Sequence, residues 1–120
     1  MPVKSILIVD DSATDRQFLS DLLSKNGFKV ATAENAEEAL AKAKQLRPDL
    51  VLMDIVMPGQ NGFQATRTLS KDEATKQIPI IICTSKGQDT DKVWGMKQGA
   101  RDYIVKPVAE KVLLNKIQAL

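Results

Sequence analysis

The chain has 120 residues, 43% of them hydrophobic and 27% charged, which suits one globular domain over residues 1–120 with its own core. Its 17 basic and 15 acidic residues leave a net charge of +2, too small a bias to argue for nucleic acid. Histidine is absent and Cys83 is the only cysteine, which excludes Ser-His triads, histidine zinc sites and an internal disulfide.

The start, Met1-Pro2-Val3-Lys4, has no signal-peptide apolar region. No apolar stretch approaches the ~18 residues that span a membrane, so a cytoplasmic protein without membrane insertion is expected. Ser5 to Val9 reads as an apolar strand, broken by Asp10-Asp11-Ser12. A helix follows from about Ala13 to Asn26, with Phe18, Leu19, Leu22 and Leu23 on one face and Gly27 at its C-terminal cap. Phe28 to Ala33 is a second, more polar strand that belongs at a sheet edge. Glu34-Asn35 leads into a helix carrying Ala36, Ala39, Leu40, Ala43 and Leu46 at helical spacing, and Pro48 closes that segment.

Leu50 to Met53 is a short apolar run read as a strand buried on both faces, with Asp54 at its carboxyl end. A turn containing Pro58, Gly59, Asn61 and Gly62 leads to a helix from about Gly62 to Ser70, with Phe63, Thr66 and Leu69 inward. After a polar connection from Lys71 to Gln77, Pro79 to Cys83 forms the fourth strand, ending in Thr84-Ser85. Core packing is the natural role for Cys83 inside that run. Asp89 is the predicted N-cap of a helix through Gln98, closed by Gly99. Tyr103 to Val105 is a fifth strand, followed by Lys106-Pro107 and a last helix from about Ala109 with Val112, Leu113, Ile117 and Leu120 on one side.

Five strands alternating with five helices predict an α/β fold, a doubly wound parallel sheet with helices on both faces. Acidic residues after the first strand favour the flavodoxin-like order 2-1-3-4-5, in which strands one and three meet at the topological switch point where ligands bind. Asp10, Asp11, Asp54, Thr84 and Lys106 then project to one rim.

Three carboxylates at one rim repel one another, and a hard divalent cation relieves that. Few protein carboxylates with open positions suit Mg²⁺, which keeps waters and accepts a phosphate oxygen. Taken alone, Asp10-Asp11-Ser12 is a loop and helix cap; Asp54 on the neighbouring strand turns it into a metal site. The turn after Asp54 can bring the main-chain oxygen of Val56 back toward the metal. A carboxylate can attack phosphorus to form an acyl phosphate, which makes Asp54 the candidate nucleophile. Lys106 supplies a flexible ammonium for a phosphate oxygen, and the Lys106-Pro107 peptide is a place where a cis bond would aim it at the rim. Thr84 offers a hydroxyl for a second oxygen, or equally a turn before the next helix.

These residues, with Met57-Pro58-Gly59, Asn61-Gly62, Thr84-Ser85, Gly99-Ala100-Arg101-Asp102-Tyr103 and Lys106-Pro107, resemble the receiver domain of two-component response regulators over essentially the whole chain. The resemblance implies phosphorylation of Asp54 by a CheA-like sensor histidine kinase with Mg²⁺, and a switch in which Thr84 moves toward the phosphoryl group and Tyr103 changes rotamer. The runs from Asp54 to Arg67 and from Thr90 to Tyr103 are similar to PilH-type regulators of chemosensory systems that control type IV pili and twitching motility. The glycine that receivers often place after the asparagine of the second helix is Ala36 here, away from every site residue.

A receiver alone has no output chemistry beyond its own phosphorylation and dephosphorylation, so it is not expected to be an enzyme in the usual sense. Output is expected by docking to a downstream protein through the face of the fourth helix, fifth strand and fifth helix, or by acting as a phosphate sink, as a monomer or weak dimer. With Val93, Gly95 and Met96 inward, Trp94 would stand partly outward on that face or, equally, cap the edge of the core. Two other readings compete. A phosphatase resembling the haloacid dehalogenase family wants Asp-x-Asp after the first strand, whereas Asp10 and Asp11 are adjacent. A flavin binder wants a Ser/Thr/Gly-rich phosphate loop there, where Asp10-Asp11 would repel phosphate.

Overall fold

The inner strands carry unbroken apolar runs, Ile6 to Val9, Leu50 to Met53 and Ile80 to Cys83, so each must be covered on both faces, and this fixes the layering. In the computed structural model, which describes residues 2–57, 59 and 61–120, β1 (Ser5–Val9), β2 (Lys29–Ala33), β3 (Leu50–Met53), β4 (Ile80–Thr84) and β5 (Asp102–Val105) form one parallel sheet in the order β2-β1-β3-β4-β5. The helices are α1 (Ala13–Lys25), α2 (Ala36–Leu46), α3 (Gly62–Lys71), α4 (Asp89–Lys97) and α5 (Glu110–Gln118). The expected fold and strand order are therefore observed. Met1, Pro58 and Gln60 lie outside the described residues, and with Pro58 one part of the turn expected after Asp54.

Alternation splits the core in two. Leu7, Val9, Val51, Met53 and Ile80 face α2 and α3, meeting Ala36, Ala39, Ala43, Ala65 and Leu69. Ile6, Ile8, Leu50, Leu52, Ile81 and Cys83 face α1 and α5, meeting Leu19, Leu22, Leu23, Leu113 and Ile117. The small alanines of α2 let that helix lie close to the sheet. Each fully buried leucine or isoleucine contributes about 2 kcal/mol.

The helix ends follow local chemistry. Ser12 Oγ accepts the Asp15 N–H at the start of α1. Its far end is a Schellman motif: Phe28 N–H donates to Leu23 O and Gly27 N–H to Ser24 O, with Gly27 at φ +90°. α2 stops at Arg47, in the left-handed region at φ 47°, just before Pro48. Asn61 and Gln64 form a capping box on α3; in the sequence Asn61-Gly62 reads as turn material only.

Several expectations need correction. Phe18 and Val112 are exposed, because each sits one residue, about 100° of helix rotation, ahead of the buried stripe that continues at Leu19 and Leu113. Leu46 is exposed because it is the last residue of α2, at the end of that helix. Asp89 is the first residue of α4, and Gln88 occupies the cap position without a side-chain bond. Val93 and Met96 do not face inward. α4 buries only Gly95, since a Cβ there would lie 2.6 Å from Ile82 Cδ1 and 3.3 Å from Tyr103 Cε2. The helix rests on Ile82 and the tyrosine ring and leaves Val93, Trp94 and Met96 in solvent.

Candidate functional site

Register brings the acidic strand ends together. Val9 pairs with Met53, so Asp10 and Asp54 leave adjacent strands side by side. The Asp54 N–H donates to Val9 O at 2.9 Å, and the Asp10 N–H to Ala33 O at 3.0 Å. Thr84 pairs with Val105, and the Lys106 N–H donates to Thr84 O at 2.8 Å, placing the lysine on the same rim. The five residues singled out at strand ends thus converge.

Asp10 is 1% and Asp54 7% exposed, while Asp11 is open to solvent. One carboxylate oxygen from each of the three lies within 4.8 Å of the others. Asp10 Oδ1 accepts the Ser12 N–H at 2.9 Å, and the Arg16 guanidinium, paired with Glu34 across the β2–α2 loop, donates to the Asp10 carbonyl at 2.8 Å. Asp54 Oδ1 accepts the Ile55 N–H at 2.8 Å. Burial is the largest influence on Asp54 and raises its pKa, with the negative charge of Asp10 acting the same way; the Thr84 hydroxyl, Lys106 and the Ile55 N–H pull down without cancelling it. A buried, mutually repelling cluster with one open member fits a divalent cation, and so the residues present are consistent with a divalent metal site.

Lys106 is shared. Its Nζ lies 2.6 Å from Asp10 Oδ2, 2.8 Å from Asp15 Oδ2 and 3.7 Å from Asp54 Oδ2. Burial disfavours the ammonium, but the bonds to Asp10 and Asp15 and the charge of Asp54 outweigh it and hold the pKa above the usual lysine range. The Lys106–Pro107 peptide is cis. Sequence reasoning missed Asp15. Its place four residues beyond Asp11 in the first turn of α1 reads as helix-dipole chemistry, and nothing local indicates a lysine 91 residues away.

The loop after Asp54 folds back on it. The Gly62 N–H donates to Ile55 O at 2.9 Å, and a Cβ at Gly62 would lie 2.0 Å from Asp54 O, so only glycine fits. Val56 is on this loop with its side chain in solvent. Thr84 is fully buried. Tyr103 is buried too, with its hydroxyl donating to Lys86 O at 2.7 Å and its pKa pushed up to about 12, chiefly by burial. In this conformation the aromatic ring lies under α4 and not on the open surface.

A family model described as the response regulator receiver domain matches residues 6–118. The chain is 59% identical over 115 residues to the protein PilH of Pseudomonas aeruginosa, covering 96% of this chain and 95% of that one. It is 40% identical over 117 residues to the phosphate regulon transcriptional regulatory protein PhoB of the same species, with 98% of this chain covered but 51% of that protein, about half its length. Among solved structures, the chemotaxis protein CheY4 of Vibrio cholerae matches with a TM-score of 0.91 at 34% identity, covering 98% of both chains. The BeF3-activated receiver domain of RstA from Klebsiella pneumoniae matches with a TM-score of 0.90 at 29% identity, covering 97% of both.

Proposed function

Since the chain belongs to the response regulator receiver domain family, a signalling module and not a conventional enzyme, we propose that Asp54 accepts a phosphoryl group from a CheA-like histidine kinase. One observation carries this reading. A buried carboxylate stands at the switch point of a parallel sheet, with carboxylate oxygens of Asp10 and Asp11 within 4.8 Å and the Lys106 ammonium 3.7 Å away.

In the transfer an Asp54 carboxylate oxygen attacks the phosphorus of the kinase phosphohistidine. The new O–P bond forms as the P–N bond breaks, and the electron pair leaves with the imidazole nitrogen, which is then protonated from solvent. Asp10, Asp11, Asp54 and the main-chain oxygen of Val56 would hold Mg²⁺, which when bound offsets the charge of the transferring oxygens. Lys106 neutralises a phosphoryl oxygen, and Thr84 donates its hydroxyl to another. Tyr103 reports the change to the face of α4, β5 and α5, where Val93, Trp94 and Met96 are already exposed. Phosphorylation shifts that equilibrium only through contacts that differ between the two states. The protein would work in the cytoplasm as a monomer or weak dimer.

The 59% identity to PilH supports a place in control of type IV pili and twitching motility. Output is either docking to a downstream protein through the α4–β5–α5 face or draining phosphate from a rival regulator. Deleting the protein separates the two: loss of a sink lengthens phosphorylation of its rival, loss of a docking output does not. The phosphorylation itself is tested with acetyl phosphate and Mg²⁺, followed by intact mass and peptide mapping. The adduct is expected on the Asp54 peptide and absent from Asp54→Asn; an adduct that persists in that variant overturns the assignment.

A further inference from the structure

Resting on phosphoryl acceptance by Asp54, the geometry points to a further positioning residue: we propose that Asp15 holds the Lys106 ammonium off Asp54 until a phosphoryl group draws it away. Lys106 has two carboxylates at hydrogen-bonding distance, Asp10 at 2.6 Å and Asp15 at 2.8 Å, and Asp54 lies beyond that range at 3.7 Å. Asp10 has other duties, accepting the Ser12 N–H and standing in the acidic cluster. The Asp15 carboxylate has one hydrogen-bond donor among the described residues, and it is Lys106.

The two restraints also differ in kind. Asp10 is buried and fixed at the end of β1. Asp15 rides on the first turn of α1, its backbone anchored by Ser12 and its side chain 42% exposed. Breaking the Asp15 contact therefore leaves a carboxylate that water can solvate, at small cost, whereas breaking the Asp10 contact strands a buried one. Of the two, Asp15 is the contact that can open. It makes the resting position of the lysine stable and its release cheap, and it sets how readily Lys106 reaches the reacting group. The Asp15 carboxylate is bonded to Lys106, and it acts on Asp54 through that lysine.

The test compares wild type, Asp15→Asn and Asp15→Glu for the rate of phosphorylation by acetyl phosphate, and repeats the Asn substitution in a Lys106→Ala background. Asp15→Asn is expected to accelerate phosphorylation by about two- to fivefold, the scale of a partly exposed ion pair. Asp15→Glu should stay near wild type, and in the Lys106→Ala background the Asn substitution should change nothing. An unchanged or slower rate in Asp15→Asn overturns the proposal. So does an acceleration that survives without Lys106, which would be a through-space effect of charge. A second readout needs neither donor nor metal: acylation of Lys106 by the N-hydroxysuccinimide ester of acetic acid, followed by peptide mapping. Asp15→Asn should raise modification of Lys106 severalfold, and equal modification overturns the hold itself. A wild type that takes no phosphate while Lys106 reactivity rises as expected would refute the phosphorylation reading and leave the Asp15 contact standing.

Discussion

Tyr103 donates its hydroxyl to the carbonyl oxygen of Lys86 at 2.7 Å, tying β5 to the loop that follows Thr84. With the phenol held well above neutral pH, it remains a donor throughout the physiological range. Tyr103→Phe keeps the ring under α4 and removes only this bond. The expected loss is about 1 kcal/mol in denaturant unfolding, together with faster amide hydrogen exchange across residues 85–88. A variant as stable as wild type with unchanged exchange would show that the bond does not hold the loop.

Gly62 is packed against the backbone of Asp54 itself. A methyl group there would meet the Asp54 carbonyl at 2.0 Å, so Gly62→Ala must displace the loop or the end of β3. Equilibrium unfolding should show a loss of about 3 kcal/mol or more, and acetyl phosphate labelling of Asp54 should slow in the molecules that remain folded.

The pH dependence of stability follows from the raised pKa of Asp54. The folded protein binds this proton more tightly than the unfolded chain, whose carboxylate titrates near the ordinary 3.8. Stability from this group is therefore present at acid pH and lost as pH rises from the ordinary carboxylate range through the folded value. With a chelator present, Asp54→Asn should be more stable than wild type at pH 7, and the gap should close on acidification, where both side chains are neutral. A gap independent of pH would contradict this.

Trp94 is 52% exposed, between the exposed Val93 and Met96. Trp94→Ala should cost about 1 kcal/mol or less in stability while weakening capture of the proposed downstream partner. A melting shift as large as that of a core truncation such as Leu23→Ala, with binding unchanged, would return the tryptophan to a structural role.

The fold was legible for a simple reason. Uninterrupted apolar runs such as Leu50 to Met53 and Ile80 to Cys83 leave no polar face for solvent, and strands of that kind survive only between two helical layers. The rim followed from topology, because parallel strands in this order bring the residues after β1, β3, β4 and β5 to one edge. Helix faces were less legible. Phe18, Leu46, Val93, Met96 and Val112 all carry apolar side chains yet stand in solvent. Helical periodicity marks a stripe, but its edges depend on how closely each helix approaches the sheet. For α4 that approach is set by the absence of a side chain at Gly95 and the ring of Tyr103 beneath it.

By itself, then, the sequence determined the order of the elements, the carboxylates at strand ends and the candidate for the reacting residue, because these depend on residue type and on the period of the chain. Only the tertiary structure decided who holds whom. It gave Lys106 to Asp10 and Asp15 ahead of Asp54, turned Tyr103 inward onto Lys86 and pressed Gly62 against the Asp54 carbonyl. Each of these joins residues from different elements, and local spacing carries no record of such a distance until the sheet has been assembled.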